Sequence, residues 1–414
     1  MLKNYFKIAI AVLKRRKFFT FISLFGISFT LTILIVVTAF INNITSANYP
    51  ETNRERSLYI TTVQQKSKKR FNHQNGGASF YYLSHYVATL KTPAKIAISS
   101  FFKATNAYVN NNKLVINLKY TNDQYWDVMN YTFLEGKPYN LQQINNGERV
   151  AVISEDTKKN YFGDEGSVVG KYIEADNVKY RVMGVVKNVP ITMFISYADL
   201  YVPYTVSKTD YNQKGNMGSF CAVLLAKSKN DIPAIKAEYA HVVSKVKPDS
   251  DAFDTFESGA DSYLASFLRS SPLGSGSAES AVTKLLIIAV VFALLFLLLP
   301  TINLININIS RIMERSSEIG VRKAFGASSK ILVGQFIIEN IILTAFGCLI
   351  GIVLSYIILQ VINNSDLIAN IHLTIDLTVL IFSIIACLLF GLLSGVYPAW
   401  RMSRLEIATA LKAQ

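Results

Sequence analysis

An ATPase would need a G-x-x-x-x-G-K-[ST] loop, in which backbone N–H groups cradle phosphates and a hydroxyl holds Mg²⁺. The nearest text, Gly166 to Tyr172 (GSVVGKY), has the wrong glycine spacing and ends in Tyr172 where the hydroxyl belongs. No His-Glu-x-x-His, Cys-x-x-Cys or G-x-S-x-G pattern occurs. His73, His85, His241 and His372 are scattered, and only Cys221 of the three cysteines lies outside an apolar run. No catalytic, cofactor-binding or metal-ligating residue is expected, and the chain should not hydrolyse ATP itself.

The informative text is a charged connection, RIMERSSEIGVRKAFGASSK at 311–330. Arg315 with Glu318, and Glu318 with Arg322, fall at helical pair spacings, so a short charged helix is expected. Gly326 can end it, and Ser328 or Ser329 can cap the next helix. Ile319, Val321, Ala324 and Phe325 would offer apolar contact to a soluble partner. The plainer reading is a basic flank that only fixes topology.

The elements that hold this loop are membrane spans. Of 414 residues 51% are hydrophobic and 17% charged, at a mean hydropathy of +0.29, which excludes a purely soluble or disordered chain. Charge-poor runs predict transmembrane helices at 18–41, 285–309, 331–362 and 377–397, each long enough to cross about 30 Å of hydrocarbon. The first reads as an uncleaved anchor. Of the net charge of +14, 11 units fall within 1–17, 310–330 and 398–414, beside the spans; this is membrane topology and not a nucleic-acid surface. The 363–376 loop has no Lys or Arg, so both termini and the 310–330 loop are expected on the cytoplasmic side and 42–284 outside. Residues 1–17 predict an interfacial helix with Leu2, Phe6, Ile10 and Leu13 on one face.

Within the spans, Gly347 with Gly351 and Gly391 with Gly395 have the small-xxx-small spacing that lets helices approach closely. Pro300 predicts a bend. Gln335, Glu339 and Asn340 sit near the start of the third span, either hydrated because the span exceeds the bilayer or placed within the membrane for a function. The outer segment is too long for a loop and predicts a mixed α/β domain. Period-two patterns mark strands at 113–120 and 178–186, with others expected at 57–63, 95–102, 149–154 and 220–226. Helices are expected at 79–90, 121–129, 155–162 and 231–246. The element order suggests one lobe from the ends of the segment and one from its middle. Ser/Gly-rich text at 270–280 reads as a linker that transmits position loosely unless packed. The basic run Lys66, Lys68, Lys69 and Arg70 reads as a solvated loop.

At the charged loop the sequence resembles the permeases of ABC transporters of the MacB and FtsX-like type. Glu314-Arg315, Glu318-Ile319-Gly320, Arg322-Lys323 and Gly326-Ala327 match that family's pattern, as do Gln335-Phe336 and Glu339. Tyr397-Pro398-Ala399-Trp400-Arg401 and Ala410-Leu411 resemble its closing motif, without the usual proline before the final Ala-Leu. Leu134-Glu135-Gly136-Lys137-Pro138 and residues 149–185 resemble its periplasmic core domain. The resemblance implies four transmembrane helices with a large α/β extracytoplasmic domain between the first and second, in the inner (cytoplasmic) membrane. It implies a docking helix for a separate ABC ATPase, with Glu314, Arg315, Glu318, Ile319, Arg322, Lys323 and Phe325 at the contact, and mechanotransmission to the outer domain. It further implies a second permease copy or related permease, and a periplasmic adaptor as a candidate partner. Export of a peptide, antibiotic or other amphiphile leads; lipoprotein release and FtsX-like control of cell-wall hydrolases are alternatives. A membrane-anchored receptor or scaffold without an ATPase is the reading from a different class.

Overall fold

The computed structural model describes residues 10–11, 15, 17–67, 73–109, 112–208, 211, 214–274, 277–313, 321, 325, 328–365 and 367–403. The interfacial face of 1–17 (Leu2, Phe6 and Leu13), the basic residues Lys68, Lys69 and Arg70, and Ala410-Leu411 lie outside them. The chain divides into two units: 1–43 with 287–367 and 373–414, and 44–286 with 368–372.

The first unit is built on four long apolar helices, Lys17–Thr45, Ala278–Met313, Ser329–Asn363 and Leu377–Ser403. Lipid offers no partner for backbone N–H and C=O groups, so a spanning segment must bond them internally. The second and fourth helices continue through Pro300 and Pro398. Ser328 precedes the third helix in extended conformation, and Asp376 Oδ1 accepts the Val379 N–H (3.0 Å) to cap the fourth. The first helix turns Phe18, Phe21, Phe25 and Phe29 outward and buries Ser23, Ser28, Thr30 and Thr32, the reverse of a helix packed in water.

The second unit is a mixed α/β domain around one hydrogen-bonded set of 14 strands among the described residues. The ends of the segment form an antiparallel half: Ser57–Ile60, Val63–Lys66, His73–Ala78, Lys95–Ser100, Phe220–Leu225 and Thr255–Ser258. The middle forms a half with two parallel pairs, Leu200–Pro203 on Asn112–Thr121 and Val178–Val186 on Val150–Ser154. The halves join where Ser99 pairs with Thr121. Each has its own core, around Tyr82, Ile98, Leu224 and Tyr239 in one and Leu118, Ile153, Tyr180 and Val202 in the other. The period-two pattern at 178–186 has its physical cause in the second core, where Tyr180 and Val182 are buried while Lys179 is exposed.

Helices form at Phe80–His85, Glu155–Phe162 and Ile232–Val243, the first two capped by Ser79 and Ser154 side chains. The expected helix at 79–90 breaks after His85 into a 3₁₀ turn, Val87–Thr89. That at 121–129 shrinks to one turn, Tyr125–Val128, because strand Asn112–Thr121 runs on to pair Thr121 with Ser99 and Pro203. The 270–280 text is not a loose linker throughout: the second long helix already begins at Ala278, and Ala278 and Ala281 are buried.

Candidate functional site

Between the second and third long helices, residues 314–328, only Val321, Phe325 and Ser328 are described; Glu314, Arg315, Glu318, Ile319, Arg322 and Lys323 lie outside the described residues. The Phe325 N–H donates to the Val321 carbonyl (3.0 Å), one helical turn. Phe325 is 88% exposed and Val321 46%. An aromatic ring left almost wholly uncovered between two apolar helices is a surface that a partner could cover.

Among the four helices, the spaced glycines lie at close approaches. A Cβ on Gly347 would sit 2.7 Å from Ile27 Cγ2, and one on Gly351 2.9 Å from the Ser28 carbonyl oxygen, both on the first helix. On the fourth helix, a Cβ on Gly391 would meet Thr344 Oγ1 at 2.4 Å, and one on Gly395 would meet Asn340 Nδ2 of the third. Thr32 Oγ1 donates to the Gly351 carbonyl (3.1 Å), a bond between helices that only a bare backbone at Gly351 permits. Asn308 Nδ2 donates to the Ser394 carbonyl (3.1 Å). Gln335, Glu339 and Asn340 are buried, with Gln335 Nε2 donating to Glu339 Oε1 (3.1 Å). Glu339 is therefore not left hydrated by surplus helix length: it faces the interior of the helical unit at 3% exposure.

The outer domain ties both of its chain ends with charged pairs, fully buried at the first. Glu51 accepts from Arg54 Nε (2.9 Å), Tyr59 Oη (3.2 Å) and Ser196 Oγ (2.7 Å). Arg54 Nη1 donates to the carbonyls of Ile44 and Ser46 (2.6 Å each), and the guanidinium lies 3.6 Å over the Tyr263 ring; Nη2 alone makes no hydrogen bond. Burial opposes the Arg54 charge, but neighbouring Glu51 outweighs it and holds the guanidinium above its ordinary pKa. At the other end Asp261 takes both Nε and Nη2 of Arg269 (2.5 and 2.7 Å), while Glu279 in the first turn of the second long helix binds Lys236 (2.7 Å) and the Ser262 N–H (3.4 Å).

The LEGKP text is a third tie. Gly136 has φ +65°, and a Cβ there would fall 2.1 Å from the Met183 carbonyl oxygen, so the turn requires glycine. Burial would raise the Glu135 carboxyl, but hydrogen bonds from Lys158, Val168 N–H and Ser167 hold it below its ordinary value. None of Glu51, Arg54, Asp261 or Arg269 stood out in the sequence, because charges three or eight residues apart read as ordinary surface pairs, and the groups that cover the first pair, Ser196 and Tyr263, come from distant segments.

Four membrane-length helices with a folded domain between the first and second define a multi-pass membrane protein with an extracytoplasmic domain. Residues 20–242 match the MacB-like periplasmic core domain and residues 290–407 the FtsX-like permease C-terminal region. The chain belongs to this MacB/FtsX-like family of ABC transporter permeases. It is 22% identical over 419 residues to the macrolide export ATP-binding/permease protein MacB of Acinetobacter baylyi (strain ATCC 33305 / BD413 / ADP1), covering 100% of this chain and 60% of that protein. To the uncharacterized ABC transporter permease YknZ of Bacillus subtilis (strain 168) it is 26% identical over 291 residues, 70% of this chain and 68% of that one. The periplasmic region of MacB from Actinobacillus actinomycetemcomitans aligns at TM-score 0.37 and 16% identity, over 52% of this chain and 94% of that chain. The chain thus spans less than two thirds of the MacB protein of A. baylyi.

Proposed function

We propose that the chain is the membrane subunit of an export complex, coupling ATP hydrolysis by a separate ABC ATPase to movement of its outer domain. Both termini and the 310–330 loop face the cytoplasm, where the loop docks on the ATPase through Glu314, Arg315, Glu318, Ile319, Arg322, Lys323 and Phe325. The complex contains a second permease, identical or related, since two ATPase domains act together and each needs a docking helix; a periplasmic adaptor is a further partner. Its substrate is a peptide, an antibiotic or another amphiphile, in line with the macrolides for which the MacB relatives are named. The observation that carries this reading is Phe325, 88% exposed on a helical turn inside the segment that matches the permease family.

The experiment has two arms. Impermeant thiol labelling in intact spheroplasts should modify Ser228→Cys and spare Ser329→Cys; the reverse overturns the orientation. In the second arm, Phe325→Asp and Ile319→Asp are expressed with the native operon, and ATPase co-purification and transport are measured. An unpaired carboxylate buried at a protein contact costs at least a few kcal/mol, so association should weaken about a hundredfold or more with topology unchanged. A basic flank that only fixes topology would be indifferent to both changes. Wild-type association and transport by both variants, at wild-type membrane level, would sink the docking assignment.

A further inference from the structure

The chain passes between its two units at four points, 43/44, 286/287, 367/368 and 372/373. The first pair are the covalent ends of the outer domain. The second pair delimit the tip of the connection between the third and fourth long helices, five residues that belong to the outer domain although both flanking helices do not. The base of this connection is closed by Asn363, whose side chain donates to the Leu373 carbonyl (2.9 Å) and accepts the Leu373 N–H (2.8 Å). At the tip Asn370 takes φ +58°, a left-handed conformation that asparagine tolerates better than most residues. Its Nδ2 donates to Asp156 Oδ2 (2.8 Å), and the adjacent Ile371 is buried at 2% exposure.

Asp156 stands on firm ground. It lies in the first turn of Glu155–Phe162, its N–H bonds Asn188 Oδ1 (2.9 Å), and that helix follows strand Val150–Ser154 without an intervening loop. Thr157 Oγ1 in the same turn donates to the Asp199 carbonyl (3.1 Å). A load applied at Asn370 therefore reaches two sheet strands through hydrogen bonds and covalent chain.

We propose that Asn370 and Asp156, with Ile371 beside them, form a latch that makes the 368–372 segment a third strut between the membrane helices and the outer domain. The links at 43/44 and 286/287 hold the domain only by its two chain ends, and a loop bonded into its body adds a third hold. The latch makes the domain follow the third and fourth helices, so that rearrangement of that helix pair displaces the sheet. This deepens the mechanical reading proposed above, but its test needs no ATPase and stands apart from the docking assignment.

The full chain in lipid nanodiscs is compared as wild type, Asn370→Asp, and the swap Asn370→Asp with Asp156→Asn. The single change sets two carboxylates against each other; the swap restores one donor and one acceptor across the same pair. Hydrogen exchange in peptides covering 155–162 and 364–373 should accelerate about tenfold in Asn370→Asp and return to within about twofold in the swap. Peptides covering 95–100 and 220–225 report the global fold and should not change; if Asn370→Asp alters them, Asp156→Ala, which removes the acceptor, replaces it as the latch-broken chain. Spin labels at Asn230→Cys and Leu367→Cys, both exposed where the native cysteines are buried, read the strut itself. Their distance distribution should be narrow in the wild type, broad when the latch is broken and narrow again in the swap. Unchanged exchange at 155–162, failure of the swap to restore it, or equal distance widths in all three proteins would overturn the proposal.

Discussion

Beside aliphatic side chains that both bury, the outer domain and the membrane helices differ in what else they take inside. Outside, the largest fully buried groups are aromatic, among them Tyr59, Tyr82, Tyr125, Tyr139, Tyr180 and Tyr201, and the buried polar groups include the charges Glu51, Arg54 and Lys119. Among the helices, the interior holds Ser28, Thr32, Thr344, Ser355 and Ser394 beside close-approach glycines, and phenylalanines face outward. The difference follows from the solvent. Water drives apolar area inward, so a sheet domain gains most by burying large rings. Lipid is as apolar as phenylalanine, so helices gain by approaching closely and bonding through hydroxyl, amide and bare carbonyl groups. Each region should therefore fail under a different substitution.

The largest effect is expected at the Glu51–Arg54 pair, whose side chains are 1% and 4% exposed. Arg54→Met leaves the Glu51 carboxylate buried without its ion partner and takes the guanidinium donor away from the Ile44 and Ser46 carbonyls. Removing one member of a buried pair costs about 3–5 kcal/mol, whereas Glu51→Leu with Arg54→Met removes both charges and should cost less than the single change. Trp126 lies in this domain and Trp400 in the fourth helix, so denaturant unfolding followed by fluorescence in a Trp400→Phe background isolates the outer domain. A cost below about 1 kcal/mol for Arg54→Met, the surface value, would remove the pair from the list of supports.

A smaller effect, confined to the helices, is expected at Gly351. Its Cβ position lies 2.9 Å from the Ser28 carbonyl oxygen, a backbone atom that can yield only by moving the helix. Gly351→Val should cost about 1–3 kcal/mol through overpacking and break the Thr32 bond. Gly26, with nothing within 4 Å, is the control. Gly26→Ala should be neutral or gain up to about 1 kcal/mol, because alanine is the better helix former. Thermal unfolding of the full chain in detergent would separate them; equal losses at the two sites would show that close approach is not what holds the helices together.

How much of this was legible in the sequence follows the same division. Lipid demands long charge-free runs, so the four spans could be read directly, and the glycine spacing pointed to the faces that meet. The partners at those faces, Ile27, Ser28, Thr344 and Asn340, could not be read, because nothing in one span encodes its rotation against another. Outside, period-two strands were legible wherever one face alone is buried, as at 178–186. They misled at 113–120: Ile116 and Leu118 are buried as expected, but the alternation assigns Lys119 to a solvent face, and it is fully buried. Loop residues 194–195, some 75 positions away, cover it. The ATPase-docking assignment rests on a motif and, structurally, on Phe325 alone.

That lysine gives the smallest and most discriminating prediction. Lys119 Nζ donates to the carbonyls of Ser100 (3.0 Å), Ile195 (3.1 Å) and Phe194 (3.5 Å) with no carboxylate bonded to it. Burial pushes its pKa down to about 8 from 10.5. Below pH 8 both folded and unfolded chains carry the proton, and the folded state bears the full cost of a buried ammonium. Between pH 8 and 10.5 the folded state sheds the proton while the unfolded state keeps it, so stability rises with pH by up to roughly 1.4 kcal/mol per unit. Burial pushes Tyr125, Tyr139 and Tyr201 up, so above pH 10 their ionisation in the unfolded chain works the other way and limits the useful window to pH 8–9.5. The quantity to measure is the stability of the wild type minus that of Lys119→Met, by Trp126 fluorescence in denaturant. It should climb across that window and be flat between pH 6 and 7. A difference that stays flat to pH 9.5 would mean that three carbonyls suffice to hold the ammonium charged, and that the outer domain keeps a buried cation much as the membrane helices keep their amides, by hydrogen bonds to backbone.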